Sequence, residues 1–150
     1  MGSMPIGSTK NKTMAIRYRI TKRANNITAS SKENYIMQAV TTGTVNLEQI
    51  SREIGKECSL NALDVKYVLM ALGPKMKFHL SEGKIVDLDN IGKFKIGFKS
   101  NAEDAPEKLT PKRNIIKYHL NFQPCIAFKH WLKRGVKTYK EGSRSRDTTF

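Results

Sequence analysis

From Ile16 the chain alternates, with Ile16, Tyr18 and Ile20 on one side and Arg17, Arg19 and Thr21 on the other. That period of two predicts a half-buried strand. A polar stretch over residues 22–33 interrupts it, and residues 35–40 predict a second strand, hairpin-paired with the first. The period then lengthens. Asn46 offers a side-chain acceptor at a helix start with Gln49 three residues on, a variant of the capping box, and Leu47, Ile50, Ile54 and Cys58 recur at helical spacing. Asn61, with Asp64 behind it, opens a second and longer helix with Val65, Val68, Leu69, Leu72, Met76 and Leu80 on its apolar face; Gly83 is placed to close it. Such a hairpin of amphipathic helices cannot bury its own stripe. Pro74 removes a backbone donor inside the second helix, which predicts a kink after Leu72 or a new start at Pro74.

Beyond the helices the alternation returns. Ile85, Val86 and Leu88 predict a short strand and residues 89–92 a turn. Phe94, Ile96 and Phe98 then oppose Lys93, Lys95 and Lys99, with Gly97 leaving a gap on the lysine side. Residues 100–113 form a charged loop containing Pro106 and Pro111, after which Ile116, Tyr118, Leu120 and Phe122 alternate with Ile115, Lys117, His119 and Asn121. These two strands are expected to pair antiparallel around the loop. Pro124 opens a final helix with Ile126, Phe128, Trp131 and Leu132 as packing residues and Lys129, His130, Lys133 and Arg134 on its wet face.

Charge changes the picture from packing to binding. The chain carries 27 Lys and Arg against 13 Asp and Glu, a net charge of +14. The excess is segregated: residues 1–45 hold seven basic and one acidic residue, residues 46–83 five of each, and residues 84–146 fifteen and six. A neutral block built to pack is flanked by two basic segments, and a polyanion is the implied partner. Cys58 and Cys125 have no CxxC spacing, and His79, His119 and His130 no metal-binding spacing. No nucleotide-binding glycine loop or nucleophile elbow is present, so neither an enzyme nor a cofactor is expected. No membrane-spanning run or secretory leader is expected either, which predicts a cytoplasmic protein with no membrane partner and no small-molecule substrate.

Glu82-Gly83-Lys84-Ile85-Val86-Asp87-Leu88, followed by Ile91-Gly92-Lys93-Phe94, resembles the Gly-Glu-Lys-Val-x-Leu and Gly-x-Phe signature of the bacterial HU/IHF histone-like family. Leu60, Asp64, Val68, Leu69, Leu80, Gly83, Val86, Leu88, Gly92 and Phe94 fit the family's helix-helix-strand pattern without a gap, and the resemblance covers residues 46–134. It implies an α+β fold: a helical hairpin, a three-stranded antiparallel sheet with a protruding β-arm, and a C-terminal helix. A β segment before Asn46 is extra and is similar to an elongated HU-related subfamily. The implied organisation is a disordered leader over 1–13, a β extension over 14–45, the HU-like domain over 46–136 and a basic flexible tail over 137–150.

The resemblance further implies an intertwined homodimer, nucleoid-associated and gripping the minor groove of double-stranded DNA with little sequence preference. Val68, Leu69, Leu72, Met76, Phe94, Ile96, Phe98, Leu120 and Phe122 would form the dimer core. Lys93, Lys95 and Lys99 would line the base of the arm, with Lys108, Pro111, Lys112, Arg113, Asn114 and Lys117 along it. Lys129, Lys133 and Arg134 on the last helix and Arg17 and Arg19 in the extension would add phosphate contacts. Pro111 is either a bending wedge or an ordinary turn proline. Glu103, Asp104 and Glu107 sit in the same arm and would repel phosphate on the groove side. They keep open a dimeric scaffold for protein partners, and RNA binding is a further alternative.

Overall fold

The structure, a computed structural model, describes residues 14–23 and 33–142. The expected leader, the hairpin turn near residue 28 and the last residues of the tail lie outside them. The chain divides into two compact units, residues 44–131 forming one and the flanking segments on either side forming the other.

In the central unit, α1 (Leu47–Cys58) is capped by Asn46, whose Oδ1 accepts from the Gln49 amide at 2.9 Å. Only half of the capping box forms, because the Gln49 side chain donates forward to Glu53 at 3.1 Å. Helix α1 ends at Ser59 in the left-handed region, and α2 (Ala62–Ser81) starts from Asn61, which accepts from the Leu63 amide. The helices meet through small residues. Ser51 and Gly55 are the buried positions of α1, and a methyl group on Gly55 would lie 2.9 Å from the Leu60 carbonyl oxygen. Of the expected stripe, Ile54 is half-buried, while Leu47, Ile50 and Cys58 are exposed in the single chain.

Helix α2 runs unbroken through Pro74, so the helix does not restart there. Pro74 and Met70, whose carbonyl loses its usual donor, are both exposed, where solvent can supply the missing hydrogen bond. Gly83, at φ +76°, ends the helix as expected, with the Lys84 amide donating back to the His79 carbonyl at 3.2 Å. Strands β3 (Val86–Leu88), β4 (Gly92–Ser100) and β5 (Ile115–Pro124) form an antiparallel sheet in that order. Gly92 has no alternative at the sheet corner, since a Cβ there would collide with the Gln123 carbonyl and the Phe122 ring.

Among the described residues the buried large apolar side chains are Val65 and Leu80 alone. The apolar positions that alternation assigns to a core are in place but open: Val68 is 69% exposed, Phe98 57% and Leu120 58%.

The other unit is a sheet of order β2-β1-β6, with β1 (Ala15–Arg23) antiparallel to β2 (Asn34–Val40) and parallel to β6 (Lys137–Lys140). The hairpin matches expectation. Strand β6 corrects it, because residues 137–140 pair with β1 instead of forming a flexible tail. A four-residue strand whose partner lies over a hundred residues earlier leaves no local periodic signal.

Candidate nucleic-acid interface

The β4–β5 ribbon has two chemically opposite faces. Cross-strand pairs Phe94–Phe122, Ile96–Leu120 and Phe98–Tyr118 form one face, and Lys93–Gln123, Lys95–Asn121, Gly97–His119 and Lys99–Lys117 form the other. Phe94 and Phe122 stack with ring centroids 4.9 Å apart, and Phe98 meets Tyr118 edge-on at 6.0 Å. Alternate residues of a strand stand about 6.8 Å apart, so Lys93 and Lys95 are one such step apart and Lys95 and Lys99 two, with Gly97 between them. Lys99 lies directly opposite Lys117, a like-charge pair that costs stability unless an anion lies across it. Lys95, Lys99 and Lys117 have no acidic partner among the described residues, whereas Lys93 lies 3.7 Å from Asp87.

The register shifts between Lys99 and Ser100, where the ribbon enters its tip. The tip is built, not loose. A 3-10 turn at Pro106–Lys108 and the short helix α3 (Pro111–Asn114) replace the expected open loop, with Pro111 in the first helical position, where its missing N–H is harmless. The acidic residues that weighed against an arm are partly paired within the tip itself. Asp104 holds Lys108 at 2.6 Å, and Glu103 accepts from the Asn114 amide nitrogen at 3.0 Å. Arg113 donates to the Lys108 carbonyl at 2.9 Å and to the Thr110 hydroxyl at 3.3 Å.

Asn114, one of the expected contact residues, is tied into the tip itself. It is 4% exposed, and its side-chain oxygen also accepts from the Thr110 amide at 2.8 Å, so both ends of the amide serve the tip. Lys112 stands exposed beside it without an acidic partner among the described residues. The structure thus gathers Lys93, Lys95, Lys99, Lys117, Lys108, Lys112 and Arg113 on one ribbon and its tip.

The remaining expected contacts lie elsewhere. Lys129, Lys133 and Arg134 are exposed on α4 (Ile126–Arg134), which has no buried residue; Trp131 and Phe128 there are exposed rather than core. Arg17 and Arg19 belong to the β1 sheet, where the register puts Arg17, Arg19 and Arg23 on one face and Ile16, Tyr18 and Ile20 on the other. Arg17 lies 3.9 Å from Glu141. At the far end of that hairpin, the Lys22 and Tyr35 side chains both donate to Glu33, and these hydrogen bonds hold its carboxyl below the usual carboxylate range.

His119, Asn121 and Gln123 are polar members of the ribbon face that sequence reasoning did not select. Their signal was present: each lies on the lysine side of an alternating strand, but none carries a formal charge.

Among the described residues no group of His, Cys, Asp or Glu is arranged to hold a metal ion, and no helix is long and apolar enough to cross a membrane. A helical hairpin against a three-stranded antiparallel sheet that extends into a ribbon defines an HU-type α+β fold. A family model described as an HU domain fused to wHTH, Ig, or glycine-rich motif matches residues 14–140, and the chain belongs to that family. The match takes in β1, β2 and β6, so the flanking sheet is part of the family pattern. Among solved structures the chain is similar to a candidate bacterial DNA-binding protein from Bacteroides vulgatus, at a TM-score of 0.61 and 13% identity over 89% of this chain and 50% of that one. The chain therefore spans half the length of that relative, and the likeness is one of fold. No curated protein matches the chain in sequence.

Proposed function

We propose that the protein is an architectural DNA-binding protein that acts as a homodimer, each chain laying the lysine face of its β4–β5 ribbon along the duplex. The observation that carries this is the two-faced ribbon, with Lys93, Lys95, Lys99 and Lys117 on one side and six large apolar or aromatic side chains on the other. The basic side suits a polyanion and the open apolar side suits a second copy. Phosphate contacts of this kind position a protein without reading bases, so binding is largely independent of sequence. The tip, with Lys108, Lys112 and Arg113, extends the contact into the minor groove, and Pro111 is the wedge if the duplex is bent. Such a protein works in the cytoplasm on the nucleoid and without catalysis.

The test is a mobility shift across a range of salt concentrations with intact, nicked and pre-bent duplex DNA and with duplex RNA. If six to eight side chains each neutralise a phosphate, log K falls against log salt with a slope of about −5 to −7. A flat salt response, or unchanged binding by Lys95→Glu/Lys99→Glu, removes the ribbon from the mechanism. Tighter binding to RNA than to any DNA would reassign the polyanion.

A further inference from the structure

Gly97 is the only residue of β4 on the lysine face without a side chain, and two side chains from β5 occupy the space above it. A methyl group at Gly97 would lie 2.7 Å from His119 Nε2 and 3.1 Å from Asn121 Nδ2. The imidazole and the amide therefore converge over bare backbone. Lys95 and Lys99 flank Gly97 along β4, and Lys117 follows on β5, opposite Lys99. No acidic residue occupies any of the eight paired positions of this face; Asp87 on β3 reaches only Lys93, two positions along the face from Gly97. On the reverse side, α2 contributes Lys77 to the groove that His119 and Tyr118 border.

We propose that His119 and Asn121 over Gly97 form a subsite for a backbone phosphodiester of duplex DNA, and that filling it takes up a proton at His119. This rests on the ribbon being the DNA-binding face. A phosphodiester oxygen only accepts hydrogen bonds. Neutral imidazole donates from one nitrogen and presents a lone pair at the other, whereas imidazolium donates from both. The Asn121 amide nitrogen supplies a further donor beside it. A negative charge beside a titratable group favours its cationic form, so a phosphodiester held at this subsite favours the protonated ring. Imidazole is the side chain whose ordinary charge change falls between about pH 5 and pH 8, which places the effect in the physiological window. The sign follows from mass action: if the complex holds more protons than the free components, affinity rises as pH falls. The lysines of the face set the salt response.

The experiment is fluorescence anisotropy with the whole chain and a short duplex, at constant ionic strength, from about pH 5.5 to about pH 8. The wild type is expected to bind about tenfold more tightly at the acid end, as for uptake of one proton on binding. His119→Gln should give a flat profile at the weak level, and His119→Lys, with a fixed charge, a flat profile at the tight level. His79 and His130 are present in all three proteins, so their contributions cancel. A wild-type profile without pH dependence overturns the subsite, as does a His119→Gln profile that follows the wild type. If a steep salt dependence survives in either case, the ribbon reading stands and only the subsite fails. If no protein binds DNA at any pH, both fail together.

Discussion

The Glu103 carboxylate accepts a hydrogen bond from the Asn114 side chain at 3.0 Å, joining the first residues beyond β4 to the last residue before β5. Asn114 also takes the Thr110 amide through its oxygen, so one buried side chain closes the arm tip from both sides. Replacing it with alanine leaves the Thr110 N–H without its partner, which costs about 1–3 kcal/mol. Asn114→Ala is therefore expected to accelerate amide exchange across residues 101–114 by about ten- to a hundredfold while α1 and α2 keep their protection. Unchanged exchange in the tip would show that it is held by other means.

Lys112 and Arg113 are neighbours in the sequence but not in role. Lys112→Glu removes an uncommitted charge and should weaken duplex binding by about tenfold at low salt with no loss of thermal stability. Arg113→Glu also breaks the bonds to Lys108 and Thr110, so it should weaken binding and loosen the tip together. A binding titration paired with amide exchange separates the two.

Two glycines on the ribbon predict opposite costs. A methyl group at Gly92 meets backbone and a packed ring, so Gly92→Ala should destabilise the protein by about 2–4 kcal/mol in denaturant unfolding. At Gly97 the obstacles are the ends of two side chains that can swing away, and Gly97→Ala should cost less than about 1 kcal/mol.

The stacked pair of Phe94 and Phe122 tests the dimer. Phe122 is 47% exposed in the single chain, so truncation to alanine in a monomer should cost well under the ~3–5 kcal/mol of a core phenylalanine. If a second chain covers this face, Phe122→Ala costs the full amount, and the wild-type melting temperature rises with protein concentration. A concentration-independent melting temperature would count against the dimer.

Glu33 gives the hairpin a pH dependence of known sign. Donation from Lys22, and then from Tyr35, favours its ionised form, so its folded value lies below its unfolded one. The stabilisation is present above the ordinary carboxylate range and is lost as pH falls through the lowered value. Chemical shifts of Lys22 and Tyr35 should follow that loss in the wild type and stay constant in Glu33→Gln.

Local patterns carried most of the fold. Asn46 and Asn61 announced their helices, Gly83 the end of α2, and the Phe and Lys alternation both strands of the ribbon, because each acts within a few residues of itself. Strand β6 was illegible since its partner is distant, and the burial of Ser51 and Gly55 since small residues make no hydrophobic stripe. At the site, charged residues were found by their charge. His119 was passed over for lacking one, and the bonds that tie Asn114 into the tip were not legible because burial is not written in residue type.

The parallel pairing of β6 with β1 also orders events during synthesis. The β1–β2 hairpin leaves the ribosome first but gains its third strand only when residues 137–140 follow. The whole central unit emerges in between, so the helices and the ribbon are complete before the outer sheet closes. A nascent chain that has released Trp131 but not yet Lys137 from the ribosome would carry a finished arm and a hairpin with an open β1 edge, and that edge is where it would first need protection from its neighbours.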